Sequence, residues 1–202
     1  MTAKTDFKRE LSGYSARRGR FDIVDVPDLR YLMVDGEGDP NAGTAFGDAA
    51  EALYPVAYRL KFASKRAGRD YVVMPLEGLW WADDMESFTA SRDKSRWHWT
   101  LMIMVPDGID EDLVGDGVRL GTLSEGRCVQ TLHVGPFDAE AETLERMHHE
   151  FIPANGLRMT GRHHEIYLSD PRRTAPERLR TILRQPVAPP REEGGAGRRT
   201  SG

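Results

Sequence analysis

GRCVQTLHV (residues 126–134), PFDAEAETLERMHHEF (136–151), HHEIYLSD (163–170) and RLRTILRQPV (178–187) decide how this chain folds. The first segment is rich in β-formers and is followed by Gly135-Pro136, which punctuates a turn. In the second, Ala141, Leu144, Met147 and Phe151 recur at helical spacing, and Pro153 and Gly156 end the helix. The third alternates: Glu165 and Tyr167 fall on one face, Ile166 and Leu168 on the other. The last reads as a closing strand, with Pro176 and Glu177 beginning a helical turn before it. The order is strand, helix, strand, strand.

The preceding part of the chain repeats that order. FDIVDV (21–26) and RYLMVDGEGDPN (30–41) alternate as strands, and Phe46, Ala49, Ala50, Leu53, Val56, Ala57 and Leu60 form one face of a helix. Pro55 inside that helix predicts a kink or a broken turn. YVVMPLEGLWWAD (71–83) reads as two short strands, or one with a corner from Pro75 to Gly78. RWHWTLMIMVPD (96–107) is a longer strand with Trp97, Trp99, Leu101, Ile103 and Val105 on one face, and DEDLVGDGVRLGTL (110–123) has room for a short helix. The expected fold is therefore α+β, a pseudo-symmetric tandem of two strand-helix-strand-strand modules at about residues 21–105 and 126–187. Residues 1–20 are expected to form a mobile lead, 21–187 a single domain, and 188–202 a disordered tail.

Composition narrows the classes of function. Of the 202 residues, 32 are acidic and 28 are Lys or Arg, a balance that argues against affinity built on phosphate neutralisation. Lys8, Arg9, Arg17, Arg18 and Arg20 form a basic group in the lead, with no helix-turn-helix pattern after it, so no direct nucleic-acid binding is expected. The single cysteine, Cys128, cannot close an intramolecular disulfide. With no apolar run of roughly 20 residues, the chain is expected to be cytoplasmic, neither secreted nor inserted in a membrane.

The residues that could carry chemistry are clustered. Four tryptophans occur as Trp80-Trp81 and Trp97-x-Trp99 on neighbouring strands, and several indoles around a cavity make a clamp for a planar aromatic molecule or a cation. Packing in the core is the competing role for any one of them. Glu165 beside such a cage would be desolvated and suited to acid or base work, with Tyr167 as a hydrogen-bond donor. Spacing alone leaves open whether Glu165 instead faces solvent and pairs with Arg162 or Arg172. Glu77 is the matching carboxylate of the first half, and two carboxylates on one cavity would form an acid/base pair; a turn-capping role is the alternative. His133 is kept as a pocket polar group, against the reading of a satisfied core histidine. His148-His149 and His163-His164 lack metal-ligand spacing, so neither a metal nor a cofactor is expected.

LYPVAYRLKF (53–62), PLEGLWW (75–81), WHWTLMIMVPD (97–107), CVQTLHVGPFDAE (128–140) and HHEIYLSDPRRTAPERLRTILRQPV (163–187) together resemble, in order, the GyrI-like small-molecule-binding family. The match is to its stand-alone branch. The resemblance implies two curved antiparallel sheets, each backed by a helix, with a ligand cleft between the halves. It also implies that Glu165 corresponds to a buried glutamate that meets cationic or aromatic ligands. The stand-alone branch is similar to enzymes that hydrolyse the cyclopropane of DNA-alkylating cyclopropanoid antibiotics of the yatakemycin and CC-1065 type. Under that resemblance Glu165 would activate water with help from Tyr167, with Glu77 as the rival carboxylate for that role. Trp80, Trp81, Trp97 and Trp99 would hold the substrate, with Tyr54, Tyr58 and Phe137 as outer contacts. The alternative it leaves is a non-catalytic protein that sequesters small molecules or acts as a DNA gyrase inhibitor-like module.

Overall fold

A computed structural model describes residues 4–82 and 94–191. Among the described residues nine strands form an antiparallel, curved and unclosed sheet: β1 (Asp22–Val26), β2 (Leu29–Glu37), β3 (Leu76–Trp81), β4 (His98–Val105), β5 (Arg119–Leu123), β6 (Gly126–Val134), β7 (Arg158–Met159), β8 (His163–Tyr167) and β9 (Arg180–Ala188). Their order is β1-β6-β9-β8-β3-β4-β2-β5, with β7 pairing the end of β9. The second half contributes β6-β9-β8 and the first β3-β4-β2, so the same module appears twice, reversed about the β8/β3 seam. The two sheets implied by the resemblance are thus one continuous sheet, because β3 and β8 pair edge to edge.

Register divides the sheet into two working faces. Gly78 lies opposite Glu165 and Trp80 opposite His163, and these residues share a face with Trp99 and Leu183. Glu77, Leu79, His164 and Ile166 share the other face with Ile182 and Arg184. Both helical segments pack on the Glu165 face. One is α2 (Ala45–Arg66), which follows the short α1 (Phe7–Glu10) and buries Leu53, Val56, Ala57 and Leu60. It runs as one element through Pro55, so of the expected kink or broken turn the break does not occur. The other begins as α3 (Ala141–Glu145), widens into a π-helix (Arg146–Phe151) and ends as α4 (Ile152–Ala154). Met147 and Ile152 from this segment pack with Val129, Leu183 and Val187.

Glycine permits the closest approach on this face. A side chain at Gly36 of β2 would stand 2.1 Å from the Trp99 ring, so the indole lies directly over bare backbone. Of the corner expected from Pro75 to Gly78, no break falls at Gly78, since β3 runs uninterrupted from Leu76 to Trp81. The loop 110–123 holds a 3₁₀ turn at Glu111–Leu113 and then β5, in place of the short α-helix.

The N-terminal segment, expected to be a mobile lead, lies against the opposite face. Tyr14 is buried and donates a hydrogen bond to Glu77 Oε1 at 2.6 Å. The backbone carbonyls of Gly13 and Ser15 accept from Arg184 and Gln130. The sequence shows only an irregular, basic segment, whereas its attachment depends on buried partners 63 to 171 residues away, the acceptor Glu77 and the donor Arg184. At the other end Ala188 pairs with Arg158 in place of starting the tail; of the expected tail, 192–202 lie outside the described residues. Among the described residues no helix is long and apolar enough to cross a membrane.

Behind Tyr14 runs a chain of buried charges. Glu77 Oε2 accepts from His164 Nε2 at 2.9 Å, and His164 Nδ1 donates to Glu125 Oε1 at 2.9 Å. Glu125 Oε2 in turn meets Arg184 Nη1 at 2.8 Å, and Arg184 Nε reaches Gln130 Oε1 at 3.1 Å. Carboxylates only accept, so the imidazole between two of them carries both protons. Burial by itself would lower the His164 pKa, but the charge of Glu125 and the two hydrogen bonds outweigh it and the net shift is upward. For Glu125, burial pushes upward and is likewise overcome, by His164 and Arg184, which bring its pKa down to about 2.

These shifts set the dependence of stability on pH. The His164 contribution is complete below the ordinary histidine value and is lost as pH rises through its raised folded value. The Glu125 contribution is complete above the ordinary carboxylate value and is lost as pH falls toward about 2. Tm measured against pH should therefore peak between about 4.5 and 6.5, the unperturbed values of the two groups. Replacing Glu125→Gln should leave His164 and Arg184 short of a counter-charge and cost about 3–5 kcal/mol in urea unfolding, with a flatter acid limb.

Candidate functional site

Between α2 and the α3/π segment, over the β3/β8 seam, lies a cleft of about 1250 Å³. Phe46 and Tyr54 come from α2, Trp80 from β3, and Glu165 and Tyr167 from β8. Trp97 sits just before β4, Phe137 and Glu140 in the turn before α3, and His148 on the π-helix. At one end the cleft is bounded by Asp6, Lys8 and Arg9 of the N-terminal segment.

The aromatic wall is assembled from both halves. Phe46 stacks on Trp80 with centroids 5.8 Å apart, and Trp97 meets Trp80 edge-on at 5.9 Å. Phe137 meets the Tyr167 ring edge-on at 5.7 Å. Lys94 stands 5.7 Å above the Trp97 ring and 3.6 Å from Asp138, so an ion pair links the two sides of the mouth.

A directed chain of hydrogen bonds crosses the floor. Trp80 Nε1 donates to Tyr167 Oη at 3.1 Å, and Tyr167 Oη donates to Glu165 Oε2 at 2.8 Å. Burial and then the Glu165 charge push the Tyr167 pKa well above its ordinary value, so its proton stays in that bond. Oε1 of Glu165 lies 3.4 Å from His163 Nε2, yet neither ring nitrogen of His163 has a hydrogen-bond partner. His148 stands against His163, with ring centroids 6.1 Å apart. Burial, followed by the neighbouring His163 and His149, lowers the His148 pKa to about 3, which keeps that ring neutral. The widened turn of a π-helix, a feature frequent at functional sites, supplies this histidine.

The site differs from the sequence expectation residue by residue. Glu165, Tyr167, Trp80, Trp97, Tyr54 and Phe137 all line the cleft. Trp99 is 2% exposed and sealed beneath Phe46, whose ring meets it at 5.4 Å, so it supports the wall from behind. Trp81 points to the opposite face, because adjacent strand residues alternate; Arg162 sits 3.6 Å over its ring and His98 stacks on it. Tyr58 is on the outer side of α2, exposed beside Phe62. Glu77 is not a second cleft carboxylate, since the same alternation buries it on the far face with Tyr14 and His164. His133 is buried and bonded to Pro136 O at 3.1 Å, the satisfied core histidine.

Sequence reasoning passed over Glu140, His148, His163 and Phe46. The paired histidines were weighed only for metal spacing, and the parity of β8, which put Glu165 on one face, also assigns His163 to it. Glu140 carries no sequence signal, because its position in the cleft depends on the turn before α3. Among the described residues no group of three His, Cys, Asp or Glu side chains could hold a metal ion.

Gly78 keeps the floor intact: a Cβ there would lie 2.8 Å from Trp80 Nε1 and 2.9 Å from Tyr167 Oη. Gly78→Ala should separate these two groups, shift the tryptophan emission spectrum and cost about 1–3 kcal/mol in urea unfolding, the usual range for overpacking.

Comparison with known proteins agrees with this architecture. A family model described as the GyrI-like small molecule binding domain matches residues 20–188. A conserved protein of Listeria innocua superposes with a TM-score of 0.82 at 38% identity, covering 92% of this chain and 100% of that one. A hydrolase from Listeria innocua superposes with a TM-score of 0.80 at 37% identity, with the same coverage. The EcmrR C-terminal domain shares the fold at 12% identity and a TM-score of 0.56, over 85% of this chain and 98% of its own. No functionally curated protein matches the sequence. With the model spanning nearly all of the described chain and two relatives near 38% identity, the protein belongs to the GyrI-like small-molecule-binding family.

Proposed function

We propose that the protein is a hydrolase that grips flat aromatic xenobiotics in its cleft and opens a strained cyclopropane in them, as in cyclopropanoid antibiotics. The observation that carries this reading is the Trp80–Tyr167–Glu165 chain in the floor of an aromatic cleft. A protein that only sequesters neutral aromatic ligands needs rings alone, whereas a carboxylate aimed into the cavity with one oxygen pinned adds a group able to take a proton from water. The naming of two similar Listeria structures as hydrolases supports the same choice.

The chemistry follows from the geometry. Trp80, Trp97 and Phe46 offer π faces and edges for a planar body. Tyr167 spends its proton on Oε2 and thereby orients the Glu165 carboxylate; it is a positioning residue. Oε1 is then the oxygen that takes a proton from water. The water oxygen bonds to the ring methylene, the strained C–C bond breaks, and its electron pair passes through the conjugated dienone to the carbonyl oxygen, which becomes a phenol on protonation. Release of strain and gain of aromaticity drive the reaction, so the protein needs only to orient the reactants and move protons.

A chromatographic assay with a cyclopropanoid alkylating agent tests this. The wild type should give the water adduct with many turnovers, and Glu165→Gln should lower kcat by about 10²–10⁴-fold, the range for loss of a general base. Its Kd for a neutral, unreactive flat aromatic should stay unchanged. Equal turnover by the variant would refute the role of Glu165, and tight binding without turnover by the wild type would establish a sequestering protein.

A further inference from the structure

We infer that Glu140 is the acid of this site, a protonated carboxyl that hydrogen-bonds the carbonyl oxygen of the bound substrate and gives it a proton while Glu165 takes one from water. This assignment rests on the hydrolase reading above and adds a residue and a substrate requirement to it.

Glu140 is 5% exposed and lines the cleft. It occupies the position before α3 at which a side chain would cap the helix, yet it makes no cap hydrogen bond. Instead its neighbour is the Thr181 hydroxyl, on the strand residue paired with Tyr167. Oε1 has no partner at all, and Glu140 makes no ion pair among the described residues. A buried carboxyl with an unmet oxygen is costly to keep, and a ligand atom arriving in the cleft would satisfy it. Burial first, then the charge of Glu165, raises its pKa far above the ordinary carboxylate value. The proton it retains makes it a donor, so the matching ligand group is an acceptor. His148, which also lines the cleft, is neutral as well. An uncharged oxygen such as a conjugated carbonyl fits this environment.

The two carboxyls then assist each other. While Glu165 is ionised, its charge opposes ionisation of Glu140. When Glu165 accepts the proton of the attacking water, that opposition ends and Glu140 can release its own proton to the oxygen that receives the electron pair. One O–C bond forms, one C–C bond breaks, and one proton enters Glu165 as one leaves Glu140. Exchange with solvent restores both groups.

The test uses fluorenone and fluorene, planar tricycles that differ in one carbonyl, with Kd measured by equilibrium dialysis against the full chain. The wild type should bind fluorenone about tenfold more tightly, the effect of one hydrogen bond from a buried group. Glu140→Leu should abolish that preference without weakening fluorene. Glu140→Gln, which still donates but cannot surrender a proton, should keep the preference and lose kcat on a cyclopropanoid by at least about 10²-fold. A wild type with no preference for fluorenone, a preference retained in Glu140→Leu, or wild-type kcat in Glu140→Gln would each overturn the role of Glu140 while leaving the aromatic cleft in place. Failure of the wild type to bind either tricycle would overturn the aromatic-cleft reading itself, and this inference with it.

Discussion

Glu77 and His164 meet across the seam where the two halves of the sheet join, 2.9 Å apart and without access to solvent. Glu77 belongs to β3 and the first half, His164 to β8 and the second, and Glu125 and Arg184 continue the chain of charge on the second side. A one-residue slip of β8 against β3 would turn His164 toward the helices and leave two buried carboxylates, Glu77 and Glu125, without their shared partner. The register is therefore held by electrostatics as well as by the backbone ladder. That register is also what sets Gly78 opposite Glu165 and Trp80 opposite His163 on the other face.

The strand β8 thus serves two purposes through simple alternation. His164 and Ile166 hold the halves together, and His163, Glu165 and Tyr167 face the cleft. The N-terminal segment belongs to the first purpose, because Tyr14 occupies the remaining oxygen of Glu77 and the carbonyls of Gly13 and Ser15 satisfy Arg184 and Gln130. The segment is held both by Phe7, Leu11, Tyr14 and Ala16 packing on the core and by polar groups that would otherwise be buried unmet.

On the helix-bearing face the division of labour is between the halves. The first half supplies most of the rings, with Phe46, Tyr54, Trp80 and Trp97. The second supplies all the cleft's histidines, His148 and His163 among them, and the carboxyls Glu140 and Glu165. A planar molecule lying across the seam would contact rings at one end and polar groups at the other, which is the arrangement a reaction on an aromatic substrate needs. The bond from Trp80 to Tyr167 crosses the same seam, tying the stacking surface to the orientation of Glu165.

The amino-acid sequence by itself determined the twofold strand-helix-strand-strand order, because periods of 2 and 3.6 are local properties of side-chain direction. It likewise determined that Glu165 and Tyr167 share a face, and that aromatic residues cluster near them. Which face looks into a cleft is a different matter. Trp80 and Trp81 are equal in the sequence, and only the packing of α2 on one side separates a cleft ring from one under Arg162. Glu77 and Glu165 look like a matched pair, yet pairing of β3 with β8 sends them to opposite sides. Glu140 and the contacts of the N-terminal segment are invisible in the sequence for one reason: their environments come from residues far away in the chain, and burial, charge and unmet hydrogen bonds exist only once those residues have been brought together.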